Sequence, residues 1–189
     1  MDLSQGSKTV VENCLKIKKD EKVLIVTDEN KLKMGQALFE AVKNAGANPF
    51  LMMSRPGKVS GEEPDELIAK AMLDADVVIC PTTVSMTHTN ARINAVKNGA
   101  RVATMPGITE EMFSKGAITA DYDEVEKLTL RMTDMLTNAR SAKIVKGEYS
   151  LTMSLKDRKG VPSTGVYDKK GTAGNLPSVE AYIAPVEGT

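Results

Sequence analysis

One histidine and two cysteines in 189 residues are the first constraint on what this chain can do. Zinc and iron catalytic sites lean on imidazole, so the chain by itself cannot supply a His-rich metal site. Two thiols, Cys14 and Cys80, do not make a disulfide framework, and they fit a reducing, cytoplasmic compartment. Tryptophan is absent, aromatics are 4% of residues, and 25 Lys+Arg are balanced by 25 Asp+Glu. That composition has neither the basic footprint nor the stacking rings of a nucleic-acid binder, and it excludes a polybasic membrane-surface protein. No apolar run is long enough to span a bilayer, and Met1 to Lys8 has no positive region followed by an apolar stretch, so no signal peptide is expected. The phosphate-binding patterns G-x-G-x-x-G after a first strand and G-x-x-x-x-G-K-[ST] are both missing.

What is present is a globular composition, 41% hydrophobic and 26% charged, that can bury a sizeable core. At roughly 150 residues per domain the length corresponds to about 1.3 domains. Segments of two periodicities alternate. Ser7 to Ile17 has helical spacing, and Lys22 to Asp28 is a short apolar, β-branched run of the kind buried on both faces of a sheet. Lys31 to Ala45 is helical and stops at Gly46, and Pro49 to Ser54 is a second strand. Arg55 to Gly61 is turn-rich. Pro64 is placed as a first helical residue, with Glu62, Glu63, Asp65 and Glu66 around a positive helix start. Asp76 to Pro81 is a third strand, His88 to Lys97 a helix, and Arg101 to Gly107 a fourth strand. Thr109 caps a short helix, and Asp121 to Ala139 carries Val125, Leu128, Met132, Met135 and Leu136 along one face of a long one.

Strands alternating with helices imply βαβ units with right-handed crossovers. The expected fold is α/β: an open parallel sheet with helices on both faces, Rossmann- or flavodoxin-like, over residues 1–140. Past Arg140 the period changes. Ile144 to Leu155 alternates as a strand does, Lys156 to Asn175 reads as loop, and Leu176 to Pro185 is strand-like. Residues 141–189 are therefore expected to be the first β-strands of an incomplete second domain.

Candidate functional residues follow from strand ends, where open α/β sheets bind ligands. Thr27-Asp28 and the hydroxyl-rich loop Thr82 to Thr87 lie there, although hydroxyls in such loops also cap the next helix, and capping is the preferred reading. His88, at a helix start with no triad spacing around it, reads as structural. The eleven methionines read as core filling. Glu180 is an acid in an otherwise apolar strand-like run, costly to bury without a partner yet free to face solvent on a period of two.

The segment Asn175-Leu176-Pro177-Ser178-Val179-Glu180-Ala181-Tyr182-Ile183-Ala184-Pro185-Val186-Glu187-Gly188-Thr189 resembles the N-L-P-x-G-E-x-x-x-A-P-x-E-G-T segment of the aminopeptidase T-like (M29-type) metallopeptidases. Gly61-Glu62-Glu63-Pro64, Ala75 to Ile79, Ser85 to Arg92 and Gly99 to Met112 are similar to that family's N-terminal half in the same order. The resemblance implies the N-terminal portion of a cytoplasmic, homodimeric metallo-aminopeptidase that hydrolyses N-terminal residues from peptides using divalent metals such as zinc or cobalt. It makes Glu180 a metal ligand in the complete enzyme, with the other ligands downstream of this motif. This chain is then expected to hold no metal tightly and to have no peptidase activity by itself. Val179 stands where the family has Gly. The scaffold also resembles the iron-dependent ring-cleaving dihydroxypyridine dioxygenases. From a different class, a non-catalytic α/β module binding a small ligand or a partner at its strand-end loops remains open.

Overall fold

The computed structural model describes residues 1–189. In chain order the elements are α1 (Ser4–Lys8), continuing as a π-helical turn (Thr9–Cys14), β1 (Lys22–Asp28), α2 (Leu32–Asn44), β2 (Asn48–Ser54), α3 (Glu66–Leu73), β3 (Val77–Cys80), α4 (Asn90–Lys97), β4 (Arg101–Thr104), α5 (Glu110–Lys115) and α6 (Tyr122–Asn138). Short strands follow: β5 (Ser141–Lys146), β6 (Tyr149–Ser154), β7 (Val161–Ser163), β8 (Ala173–Asn175), β9 (Glu180–Tyr182) and β10 (Glu187–Gly188).

The chain divides into two compact units, Met1–Tyr122 with Gly165–Pro177, and Asp123–Thr164 with Ser178–Thr189. The first contains a five-stranded sheet in the order β2-β1-β3-β4-β8, every neighbouring pair parallel. Strands β1, β3 and β4 bury both faces, and their apolar side chains alternate strictly between two cores, while the edge strand β2 is partly exposed. Val23, Ile25, Val77, Ile79 and Ala103 join one core with Val10, Cys14, Leu38 and Phe113, while Leu24, Val26, Val78, Cys80 and Val102 join the other with Ile68, Met72 and Ala95. This is the expected α/β fold, produced because a parallel sheet needs helices on both faces and so needs apolar side chains at every position.

Several local expectations are corrected. The opening helix is widened: Leu15 N–H donates to Val10 O and Ile17 N–H to Val11 O, over five and six residues, and this turn buries both the Val10–Val11 and the Cys14–Leu15 pairs. Helix α3 starts at Glu66 behind Asp65, whose carboxylate accepts from Leu67 N–H at 2.9 Å, so Pro64 lies before the cap. Helix α4 starts at Asn90, capped by Thr89, and leaves His88 outside it. Thr109 caps α5 as expected.

The stretch 156–175 is not all loop. Residues 173–175 form the fifth strand, in register Val102↔Ala173, Ala103↔Gly174, Thr104↔Asn175, with Tyr167 and Leu176 buried in the core beside it. In the second unit, β5 and β6 form a hairpin with β10 against β6, and β7 pairs with β9. Along α6, Leu128, Met132 and Met135 are exposed, and the buried positions after Tyr122 at its start are Thr129 and Thr133. Each threonine hydroxyl donates to the carbonyl four residues back, Thr129 to Val125 at 2.8 Å and Thr133 to Thr129 at 2.9 Å, which satisfies it without water.

Candidate functional site

The strand order reverses at β1: the chain goes to β2 on one side, then to β3, β4 and β8 on the other. The region beyond the strands' carboxyl ends at such a reversal is the usual ligand position in open α/β sheets. A cavity of about 360 Å³ occupies this region, lined among others by Val26, Asp28, Arg55, Glu62, Thr82 and Met86. A larger groove of about 570 Å³ lies at Leu3, Val11, Ala37 and Ala41, between α1 and α2 and away from the strand ends.

Asp28 anchors the crevice. It is 2% exposed, yet its carboxylate accepts from Thr83 N–H, from Thr83 Oγ1 at 2.8 Å and from Asn30 N–H at 3.1 Å. Thr27 Oγ1 donates to Pro81 O at 3.0 Å, tying the same two strand ends together. A carboxylate with three donors is stable when buried, and these donors hold the β3 loop against β1.

A second polar cluster sits at the ends of β4 and β8. Asn175 Oδ1 accepts from Thr104 Oγ1 and from Thr87 Oγ1 at 2.8 Å, and Ser85 Oγ donates to Thr87 Oγ1 at 2.8 Å. Tyr167 donates its hydroxyl to Asn175 O at 3.2 Å. The Leu176–Pro177 peptide that follows is cis. The hydroxyls of Thr82 to Thr87 therefore bond to strand ends, to the Val84 carbonyl and to one another, while capping of α4 falls to Thr89. Glu63, read from the sequence as part of the α3 start, instead places its carboxylate on the backbone N–H groups of Asn90 and Ala91 at the start of α4. Arg92, in the first turn of α4, keeps a buried Nε without an acceptor.

The remaining sequence candidates are dispersed. His88 is exposed. Glu180 opens β9 opposite Ser163 and is exposed, and Val179 before it takes no left-handed conformation, so a β-branched residue is tolerated there. No group of three or more His, Cys, Asp or Glu side chains is arranged to hold a metal ion. Cys14 and Cys80 are buried and free, and burial pushes each thiol up to about 12, which makes them poor nucleophiles and poor metal ligands. Asn175 and Thr104 were missed as site residues; a polar pair ending two strands far apart in sequence is visible only once β8 is known to be a strand.

Compared with known proteins, the chain matches over residues 2–189 the family model NicX, described as 2,5-dihydroxypyridine 5,6-dioxygenase. The chain belongs to the NicX family. No curated protein matches it. Among solved structures it is similar to 2,5-dihydroxypyridine dioxygenase from Pseudomonas putida KT2440, with 17% identity and a TM-score of 0.76 over 98% of this chain and 56% of that one. It is also similar to AmpT from Thermus thermophilus, with 14% identity and a TM-score of 0.63 over 97% of this chain and 61% of that one. At these identities the likeness is one of fold, and the chain spans little more than half the length of either structure. The NicX match points to an enzyme family, and the AmpT likeness supports the aminopeptidase resemblance at the level of fold alone. No helix is long and apolar enough to cross a membrane.

Proposed function

We propose that this chain is the α/β portion of a metal-dependent, ring-cleaving dioxygenase acting on a hydroxylated pyridine, with the crevice at the carboxyl ends of β1 and β3 as a binding region for the small aromatic substrate. The observation that carries this reading is the NicX match across residues 2–189. The crevice supports it: a volume of about 360 Å³ lies within the range that takes small organic ligands, and hydroxyl and carboxylate groups stand beside the apolar Val26 and Met86. Glu180 is the one residue proposed as a metal ligand, in the complete site. The side chains present here do not fit a metal on their own, because Glu180 is a solitary exposed carboxylate. No metal-centred step follows from these residues.

A second reading, the metallo-aminopeptidase acting on peptides, is favoured by the Asn175–Thr189 segment and by the AmpT-like fold. Isothermal calorimetry on the 189-residue chain separates the two. Binding of 2,5-dihydroxypyridine, with none for an unblocked dipeptide, is expected. Binding of the dipeptide alone would replace the first reading with the second, and binding of neither would favour a non-catalytic module.

A further inference from the structure

Residues 55–65 connect β2 to α3 across the strand-end crevice, and none of them is buried. Arg55, Pro56, Gly57, Lys58, Glu62 and Glu63 all line the cavity. Apart from Asp65, which caps α3 at one end, and Arg55 O, which accepts from Ser54 Oγ at the other, the polar ties from this segment converge on one partner, the connection from β3 into α4 with the start of that helix. Gly61 N–H donates to Ser85 O at 2.8 Å, Ser85 N–H donates to Ser60 Oγ at 3.3 Å, and Asn90 and Ala91 donate their N–H groups to the Glu63 carboxylate, the latter at 3.1 Å. Lys58 N–H to Glu62 and Glu62 N–H to Val59 O hold the segment's own turn. At Gly57 the backbone runs close to the β3–α4 connection: a Cβ there would stand 2.8 Å from Val84 Cγ2.

A segment held by a few polar ties and no buried apolar side chain opens at far lower free energy than the strands it covers. Glu63 is the strongest of these ties, because a full negative charge meets N–H groups that have no intrahelical acceptor, at the positive end of the helix dipole. Thr89 caps α4 independently through Arg92 N–H, so the helix keeps a cap when Glu63 leaves.

We infer that residues 55–65 form a strap over the crevice at the carboxyl ends of β1 and β3, latched by the Glu63 carboxylate on the N-terminus of α4, and that releasing the latch uncovers the crevice. The inference holds for either substrate class, since it rests on the strap and not on what binds beneath it.

The test is native-state hydrogen exchange together with limited trypsin digestion of the 189-residue chain, comparing the parent with Glu63→Ala, Glu63→Gln and a control, Glu66→Ala. Loss of a helix cap of ordinary strength corresponds to about a fivefold shift in the opening equilibrium. Glu63→Ala is expected to raise exchange at the Gly61 and Ser85 amides, and cleavage after Lys58, by about that factor. Glu63→Gln, which keeps an acceptor oxygen without the charge, should fall between, and Glu66→Ala should match the parent. Ser85 N–H donates to Ser60 Oγ on the strap and not to Glu63, so its exchange reports departure of the strap and not the loss of a Glu63 bond. Faster exchange confined to Asn90 and Ala91, with Ser85 and Lys58 unchanged, would reduce Glu63 to a helix cap and overturn the inference. A uniform rise that includes the amides of β1 and β3 would assign the effect to global unfolding and overturn it equally.

Discussion

Replacing Gly174 by alanine should destabilise the first unit through one identifiable collision. Gly174 is the middle residue of β8, paired with Ala103, and the Tyr167 ring lies directly over it. A Cβ built there would stand 2.7 Å from Tyr167 Cε1 and closer still to Cζ and Oη. Tyr167 is 6% exposed and packed within the core. Forcing a methyl into a packed core costs about 1–3 kcal/mol. Displacing the ring also removes the Tyr167 hydroxyl from Asn175 O, about 1 kcal/mol more. The expected cost is about 2–4 kcal/mol, read as a lower urea midpoint with unchanged slope by far-UV circular dichroism. A double-mutant cycle isolates the cause: in a Tyr167→Leu background the same Gly174→Ala change should cost under about 0.5 kcal/mol, giving a coupling of about 1.5 kcal/mol or more. Equal costs in the two backgrounds would refute the collision and, with it, the packing that recruits β8 to the sheet.

Other outcomes follow from the same structure. Asp28→Ala leaves the Thr83 and Asn30 donors without their acceptor in a buried place and should lower stability by about 1–3 kcal/mol, with Asp28→Asn costing less; chemical denaturation measures both. Burial alone would raise the Glu21 carboxyl, but the paired hydrogen bonds from Arg101 at 2.8 and 2.9 Å, the Lys18 N–H and the charges of Arg101 and Lys18 outweigh it and hold the pKa below its ordinary value. A depressed folded-state pKa contributes stability that is full above the unfolded-state value of about 4.3 and is lost as pH falls through the folded one. Glu21→Gln should therefore flatten the fall in unfolding free energy below about pH 5; an unchanged acid limb would contradict the assignment. In calorimetry, zinc should bind the chain and its Glu180→Ala variant equally weakly, and tight binding abolished by that substitution would show a site already formed around Glu180.

Much of the first unit was legible because its physics is local. The runs Val23 to Val26, Val77 to Cys80 and Val102-Ala103 are apolar at consecutive positions, as only strands covered on both faces can be, and the helices between them carry one apolar stripe each. The Asp28 and Thr82 to Thr87 positions were legible for the same reason, since a ligand crevice in an open α/β sheet lies at strand ends. What those groups do was less so: whether a hydroxyl caps the next helix or bonds a neighbouring strand depends on where that strand ends in space. On α6 the apolar pattern points to Leu128, Met132 and Met135, whereas beyond Tyr122 the buried residues are Thr129 and Thr133, tolerated there because a threonine that bonds back along its own helix loses most of the cost of burial.

The sequence by itself determined a parallel, doubly covered sheet, the order of its first four strands along the chain, and the absence of a His-rich metal site. Only the tertiary structure decided that residues 173–175 complete the sheet, that Glu63 belongs to α4, and that Asn175, Thr104 and Thr87 meet. The reason is physical. Periodicity records which face of an element is buried, and that is written in neighbouring residues. Pairing of a three-residue strand with one some seventy positions earlier is made by backbone hydrogen bonds common to every residue type, and the reach of a carboxylate to a distant helix start is set by the path of the chain between them.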